Sequence, residues 1–325
     1  EATYTVAVIN TKNGTTSSVT STGAALTVAT GITITTPNSG LSGTYNSSFS
    51  LSVTASGGSG SLTYSISSGG TSLSALGLTI NSSTGAISGT PSAAGNASIV
   101  VRATDGNSAT ADTNSFTITI NQATQSITFA QPSDTPVTNK TLTVSPSASS
   151  GLGVVLTSDT TSVCTVSGST IFFVATGNCT INANQSGNGN YSAATQVART
   201  FAISAVTVTF NSNYGTPNTT TQSITNPNGS ALTAISSIGW TRSGYAFSGW
   251  STSSGTQSVV YLEAATYSGT TATLYAQWNA TSFSVTYTLN GGSGSAPTQT
   301  NKNIGNTFTI SALGSVTKTG YNFTG

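Results

Sequence analysis

The chain contains no histidine and no methionine, and charged residues make up only 4% of its 325 positions. Without an imidazole, the usual general base for a Ser or Cys nucleophile is missing. The six acids are scattered rather than gathered, so no catalytic pair stands out. Ser59 sits between two glycines, but in a low-complexity turn and not in a strand-to-helix nucleophile elbow. Seven Lys plus Arg against six Asp plus Glu leave a net charge of +1. That is no basic stripe for nucleic acid and no polybasic cluster for anionic lipid. No apolar run approaches the roughly 18 residues of a membrane span. The absence of Met implies that Glu1 is not a translation start and that sequence is expected upstream, although no signal peptide opens the chain.

What is abundant is Ser, Thr, Asn and Gly, with 35% hydrophobic residues placed in alternation. Phe49 to Val53, Ser115 to Ile120 and Ala272 to Trp278 each show a period of two, which buries one face of a strand. No stretch of comparable length shows a helical period. Turn residues recur every eight to twelve positions, the pattern of β-sandwiches and small β-domains. This excludes disorder for most of the length. The expected fold is all-β, with tandem immunoglobulin-like sandwiches followed by small β-grasp-like repeats, elongated as beads on a string.

Five segments are expected. Residues 1–29 read as the C-terminal hairpin of an incomplete immunoglobulin-like domain. Tyr4, Val6 and Val8 point inward, Lys12-Asn13-Gly14 forms the turn, and a later strand runs over Ala24 to Ala29. A lone hairpin is unstable in water, so partner strands are expected from elsewhere. Residues 30–121 read as a sandwich whose core holds Phe49, Leu51, Val53, Tyr64, Ile66, Leu78, Ile80, Ile87, Ile99, Val101, Phe116, Ile118 and Ile120. Its string Gly77 to Pro91, with Thr84-Gly85 as a turn and Gly89-Thr90-Pro91 ending a strand, resembles the cadherin-like immunoglobulin family found in tandem on bacterial surface proteins. Residues 122–204 carry SVCTV, GNCTI and a later Asn190-Tyr191-x-x-Ala194. They are similar to an immunoglobulin-like repeat of large bacterial surface proteins. Residues 205–280 contain TRSGYAFSGW (Thr241 to Trp250) and ATLYAQW, and residues 281–325 repeat the pattern as TKTGYNFTG (Thr317 to Gly325) before the expected Trp. Both resemble the internalin-type B repeat, the second copy truncated. Repetition at this length implies tandem modules.

Cys164 and Cys179 are the only cysteines. Neighbouring strands can bring two Cα atoms to the 4.4–6.8 Å that a disulfide needs, and the resemblance to exported repeats favours that over two buried thiols. Asp105, Asn107, Asp112 and Asn114 offer hard oxygens, and Asp105, Asn107 and Asp112 are calcium candidates. The plainer reading is Asx turns at strand ends. No other metal and no cofactor is expected. Trp240, Tyr245 and Trp250, with Phe247, Tyr261 and Trp278, either build a small aromatic core or present rings to a ligand such as surface carbohydrate. A Lys–Asn crosslink would need an assisting acid, and Glu263 is the one glutamate besides Glu1.

The resemblances imply a non-enzymatic extracellular structural protein: the stalk of a bacterial surface adhesin, or the subunit of an extracellular filament or sheath with strands exchanged between neighbours. The alternatives are a carbohydrate-binding surface module and an accessory region of a larger secreted enzyme. Expected partners are copies of itself or flanking domains of the same chain, and surface glycans or receptors on host or neighbouring cells.

Overall fold

Strand pairing dominates because the hydrophobic residues alternate with Thr and Ser, which suit a half-buried pleated surface. In the computed structural model the described residues are 2–4, 7–12, 15–20, 24–26 and 30–324 without 217 and 255–257. They form two compact units. One comprises residues 1–128, 147–154 and 184–196, the other residues 129–146, 155–183 and 197–325.

In the first unit, Ala2–Tyr4 pairs antiparallel with Ala24–Leu26, and Ala7–Lys12 pairs with Thr15–Thr20 in the register Lys12↔Thr15. The side-chain pattern expected of Tyr4, Val6 and Val8, the turn residues Asn13 and Gly14, and the end of the later strand at 27–29 lie outside the described residues. Next comes a two-sheet sandwich. One sheet orders Thr79–Ile80, Ala86–Gly89 and Phe49–Ser52. The other is built on the ten-residue strand Gly95–Thr104. Its first half pairs with Phe116–Asn121, and its second half with Thr63–Ser68 and Thr110–Asp112. The register shifts between Val100 and Val101, where the strand changes partners. Ser42–Thr44 closes the edge in parallel with Phe116–Asn121.

The core of this sandwich contains ten of the thirteen residues read from the alternation, and Tyr64, Ile66 and Ile80 pack against it half-buried. It also contains Leu73, Leu76 and Ala97. Leu73 lies in a short helix, Gly70–Ala75, and Leu76 caps its end. The alternation did not reveal this helix, because six residues are too few to display a helical period.

In the second unit, one sheet orders Thr141–Thr143, Thr170–Phe173 and Cys164–Ser167. A second orders Thr135–Pro136, Val197–Ser204, Gly177–Asn184 and Val155–Ser158. Val137, Ile171, Phe173, Ile181, Phe201 and Ile203 are buried. Further along, a four-stranded mixed sheet orders Thr219–Ile224, Val206–Asn211, Ala272–Ala280 and Tyr245–Ser251. Its two central strands run parallel, and the short helix Ile235–Ile238 sends Ile235 into the core. Beyond Ala280 the chain forms the two-residue pair Ser282–Phe283 with Lys302–Asn303 and a bridge between Ser293 and Thr317.

Ile99 is fully enclosed at the centre of the first sandwich, whereas Val155 is 63% exposed. Ile99→Ala is expected to cost about 2–5 kcal/mol in urea unfolding. Val155→Ala should stay within about 0.5 kcal/mol of the parent.

Candidate functional site

Cys164 and Cys179 are both inaccessible and form a disulfide with Cα atoms 5.7 Å apart. The two strands are not neighbours in one sheet, which is how the spacing alone suggested the pair would meet. Cys164 belongs to the three-stranded sheet and Cys179 to the four-stranded sheet. After Phe173 the chain crosses from one sheet to the other, so the bond ties the two layers together. Phe173 and Phe201 meet beside it from opposite sheets, with ring centroids 6.4 Å apart.

Asp105 and Asp112, two of the three calcium candidates, have separate partners. Asp105 accepts main-chain N–H groups from Ser59 at 2.8 Å and from Asn107 and Ala109 at 2.9 Å each. These donors, Ser59 foremost, hold its carboxyl below the ordinary carboxylate range against the opposing effect of burial. Asn107 takes part through its main chain. Asp112 lies directly opposite Arg102 and forms a two-pronged ion pair with it at 2.7 and 2.8 Å. That pair is solvent-exposed, where such pairs contribute little. Asn114 donates its main-chain N–H to Thr36. Among the described residues no group of three or more acids, cysteines or histidines could hold a metal ion. The carboxylates of Asp105 and Asp112 thus serve a turn and an ion pair. Glu263 is likewise engaged: it accepts the main-chain N–H of Ile235 at the start of the second short helix.

The aromatic residues of the mixed sheet form a connected network. Trp250 is its hub, fully buried, with Phe210 at 4.6 Å, Phe247 at 4.9 Å and Trp240 at 6.4 Å between centroids. Phe247 continues to Trp278 at 5.7 Å, and Trp278 to Tyr214 at 5.4 Å. The reading of Trp250 as a ligand-binding residue is thereby corrected, because no face of the ring reaches solvent. Its indole N–H has no hydrogen-bond partner among the described residues. Trp240 packs half-buried against the same core, and Tyr245 lies under the guanidinium of Arg242, 3.8 Å from its ring centroid.

One feature escaped the residue-by-residue reading of the sequence. Residues 185–193 form a loop of the first unit that closes over the connection Gln122–Gln125. Gln122 donates its side-chain amide to the carbonyls of Asn188 and Gly189. Ala123 donates to Asn190 at 2.9 Å and accepts from Ser192 at 3.0 Å. The Gln125 amide reaches the Ser192 carbonyl at 2.7 Å. From there the loop extends onto the preceding sandwich. The Asn190 side chain accepts from Ala94 at 2.9 Å, and Tyr191 meets Tyr45 edge to face at 5.3 Å. The Asn188 carboxamide organises the loop internally by accepting from Asn190 and Tyr191. Gly187 is required at φ +77°, since a Cβ there would meet the Tyr191 carbonyl at 2.3 Å. The Asn190-Tyr191 pair was visible in the sequence as a motif, but its contacts were not.

Residues 26–121 match the family described as Putative Ig domain. Residues 207–277 and 283–325 match the Listeria-Bacteroides repeat domain. The chain is thus a multidomain assembly of immunoglobulin-like and repeat modules. No curated protein matches it. Among solved structures it is similar to extracellular cadherin domains 3–6 of protocadherin gamma B2. That match is 13% identical with TM-score 0.26, over 57% of this chain and 52% of that one. The chain thus spans about half the length of the protocadherin fragment. It is also similar to titin domains z1z2 in complex with telethonin (15% identical, 55% of this chain, 97% of that one, TM-score 0.32). A third similarity is to domains 4 and 5 of the S-layer protein SbsC (18%, 55%, 99%, TM-score 0.23). Likeness at this level carries nothing about function.

Replacing both cysteines by Ala opens a loop of sequence separation 15. The double variant is expected to lose about 3 kcal/mol in denaturant unfolding under oxidising conditions. Asp105→Asn removes a carboxylate whose folded pKa is lowered. The contribution of such a group is fully present above about pH 4 and disappears as pH falls through the lowered folded value. The stability gap between parent and Asp105→Asn should therefore narrow as the pH drops from about 5 to about 2. A gap that stays constant or widens toward acid would contradict the assignment.

Proposed function

We propose that this chain is a non-enzymatic structural segment of a bacterial extracellular protein, the stalk of a surface adhesin or part of an extracellular filament or sheath. The observation that carries the reading is the closed loop over Gln122–Gln125. A connection between modules that served only as a tether would be Gly/Ser-rich and free of internal bonds. This one is hydrogen-bonded along its length and covered by Asn190 and Tyr191, which rest on the preceding sandwich. A connection bonded in this way to its own sandwich resists being drawn out, which is what a projecting or load-bearing protein requires.

Two further features support it. The disulfide between the sheets suits an oxidising exterior. The carboxylates of Asp105, Asp112 and Glu263 are engaged in turns, a pair and a helix start, and so are not grouped around a cleft. Its partners in this reading are flanking modules of the same chain or further copies of it. The carbohydrate-binding alternative has no comparable support, because Trp250 is enclosed and the ring of Tyr245 is taken by Arg242.

Antibodies raised against residues 30–280 should label intact, unpermeabilised cells of the source organism. An in-frame deletion of those residues should bring a distal epitope measurably closer to the cell envelope in immunogold images. Labelling that appears only after permeabilisation would sink the proposal.

A further inference from the structure

The turn Thr241–Tyr245 recurs at Thr317–Tyr321 with the same glycine conformation and the same closing hydrogen bond. Gly244 has φ +76° and Gly320 φ +77°. Tyr245 donates its main-chain N–H to the Arg242 carbonyl at 3.0 Å, and Tyr321 to the Lys318 carbonyl at 3.1 Å. A cation sits over each tyrosine ring, Arg242 at 3.8 Å and Lys318 at 4.6 Å. The two turns differ in what touches the glycine. A Cβ on Gly244 would meet Cδ1, Cγ2 and Cβ of Ile304 at 2.2, 2.7 and 3.0 Å, whereas a Cβ on Gly320 would have nothing within 4 Å. The side chain of Ile304 therefore lies directly on the bare backbone of Gly244.

Ile304 belongs to the second repeat, and main-chain hydrogen bonds tie it to Gly244 through Thr281. Tyr245 pairs with Ala280. Thr281 donates to the Gly244 carbonyl at 2.8 Å and accepts from Ile304 at 3.3 Å. Ser282 and Phe283 pair with Asn303 and Lys302. Phe283 and Phe308 pack at 5.8 Å, with the Lys302 ammonium over the Phe308 ring at 5.9 Å.

We infer that the Thr-(Arg/Lys)-x-Gly-Tyr turn of a repeat is a socket for the Ile-Gly turn of the repeat that follows, and that Ile304 seated on Gly244 fixes the orientation of the two repeats. The glycine has two separate duties there. It permits the positive φ, which both copies need, and it leaves its α-carbon bare for the incoming side chain, which Gly244 alone shows filled. The partner this surface fits is the apolar tip of a tight turn with a backbone as closely held as Lys302–Gly305. The inference goes beyond the proposed function and holds whether or not the chain is a stalk.

The contrast between the two glycines supplies its own control. Spin labels on Thr220→Cys and Thr300→Cys, one in each repeat, report the distance between repeats with the native disulfide intact. The parent chain should give one narrow distance. Ile304→Asp, at a side chain already 41% exposed, and Gly244→Ala, which leaves the second repeat's sequence untouched, should each broaden the distribution about twofold or more, toward that of a short flexible linker. Gly320→Ala carries the same backbone strain into open space and should leave the distance unchanged. A broad distribution in the parent, parental width in both joint variants, or equal broadening by Gly320→Ala would each overturn the inference.

Discussion

A neutral side chain bonded to the main chain two residues ahead recurs through this molecule, and the loops depend on it. Asn81 accepts from Ser83, Asn188 from Asn190, Asn211 from Asn213 and Asn226 from Asn228. Each is an Asx turn, which mimics a main-chain turn and satisfies a donor at a point where a strand has stopped. With charged residues at 4% of the chain, ion pairs could not do this work. Even the carboxylates are used in the same manner: Asp105 and Glu263 accept main-chain N–H groups, and Asp134 accepts from Ala202. A fold held at its ends by uncharged carboxamides has little for salt to screen.

The sequence displayed those parts of the fold in which one residue's role is fixed by its immediate neighbours. Phe49, Leu51 and Val53 alternate with polar residues, and so do Phe116, Ile118 and Ile120; all six are buried. Leu73 and Leu76 were not visible, because a helix of six residues in a Ser/Gly-rich stretch shows no repeat of its period. The pairing of Cys164 with Cys179 is written in their spacing, but the layer each belongs to depends on where the chain crosses between sheets, which spacing does not encode. The aromatic motif left two readings open. Trp250 could be assigned to the core only once Phe210, Phe247 and Trp240 were placed around it. The loop at Asn188–Tyr191 is the extreme case. Its own turn is local and readable, whereas its contacts with Tyr45 and Ala94 join residues far apart in the chain.

Closely held glycines and asparagines recur at the two connections described, at Gln122–Gln125 and at Ala280–Phe283. In both, a turn with a positive-φ glycine brings main-chain groups close to its neighbour. Long charged side chains would lose more rotamer freedom on being ordered there than Gly, Ala or Asn do.

The bond between Cys164 and Cys179 has a further consequence for a chain loaded from its ends. The fifteen residue steps it spans cannot extend while it is intact. At about 3.4 Å per residue this withholds on the order of 50 Å of contour length. Reduction would release that length in one step, so the redox state of the surroundings sets how far this module can stretch before it is fully drawn out.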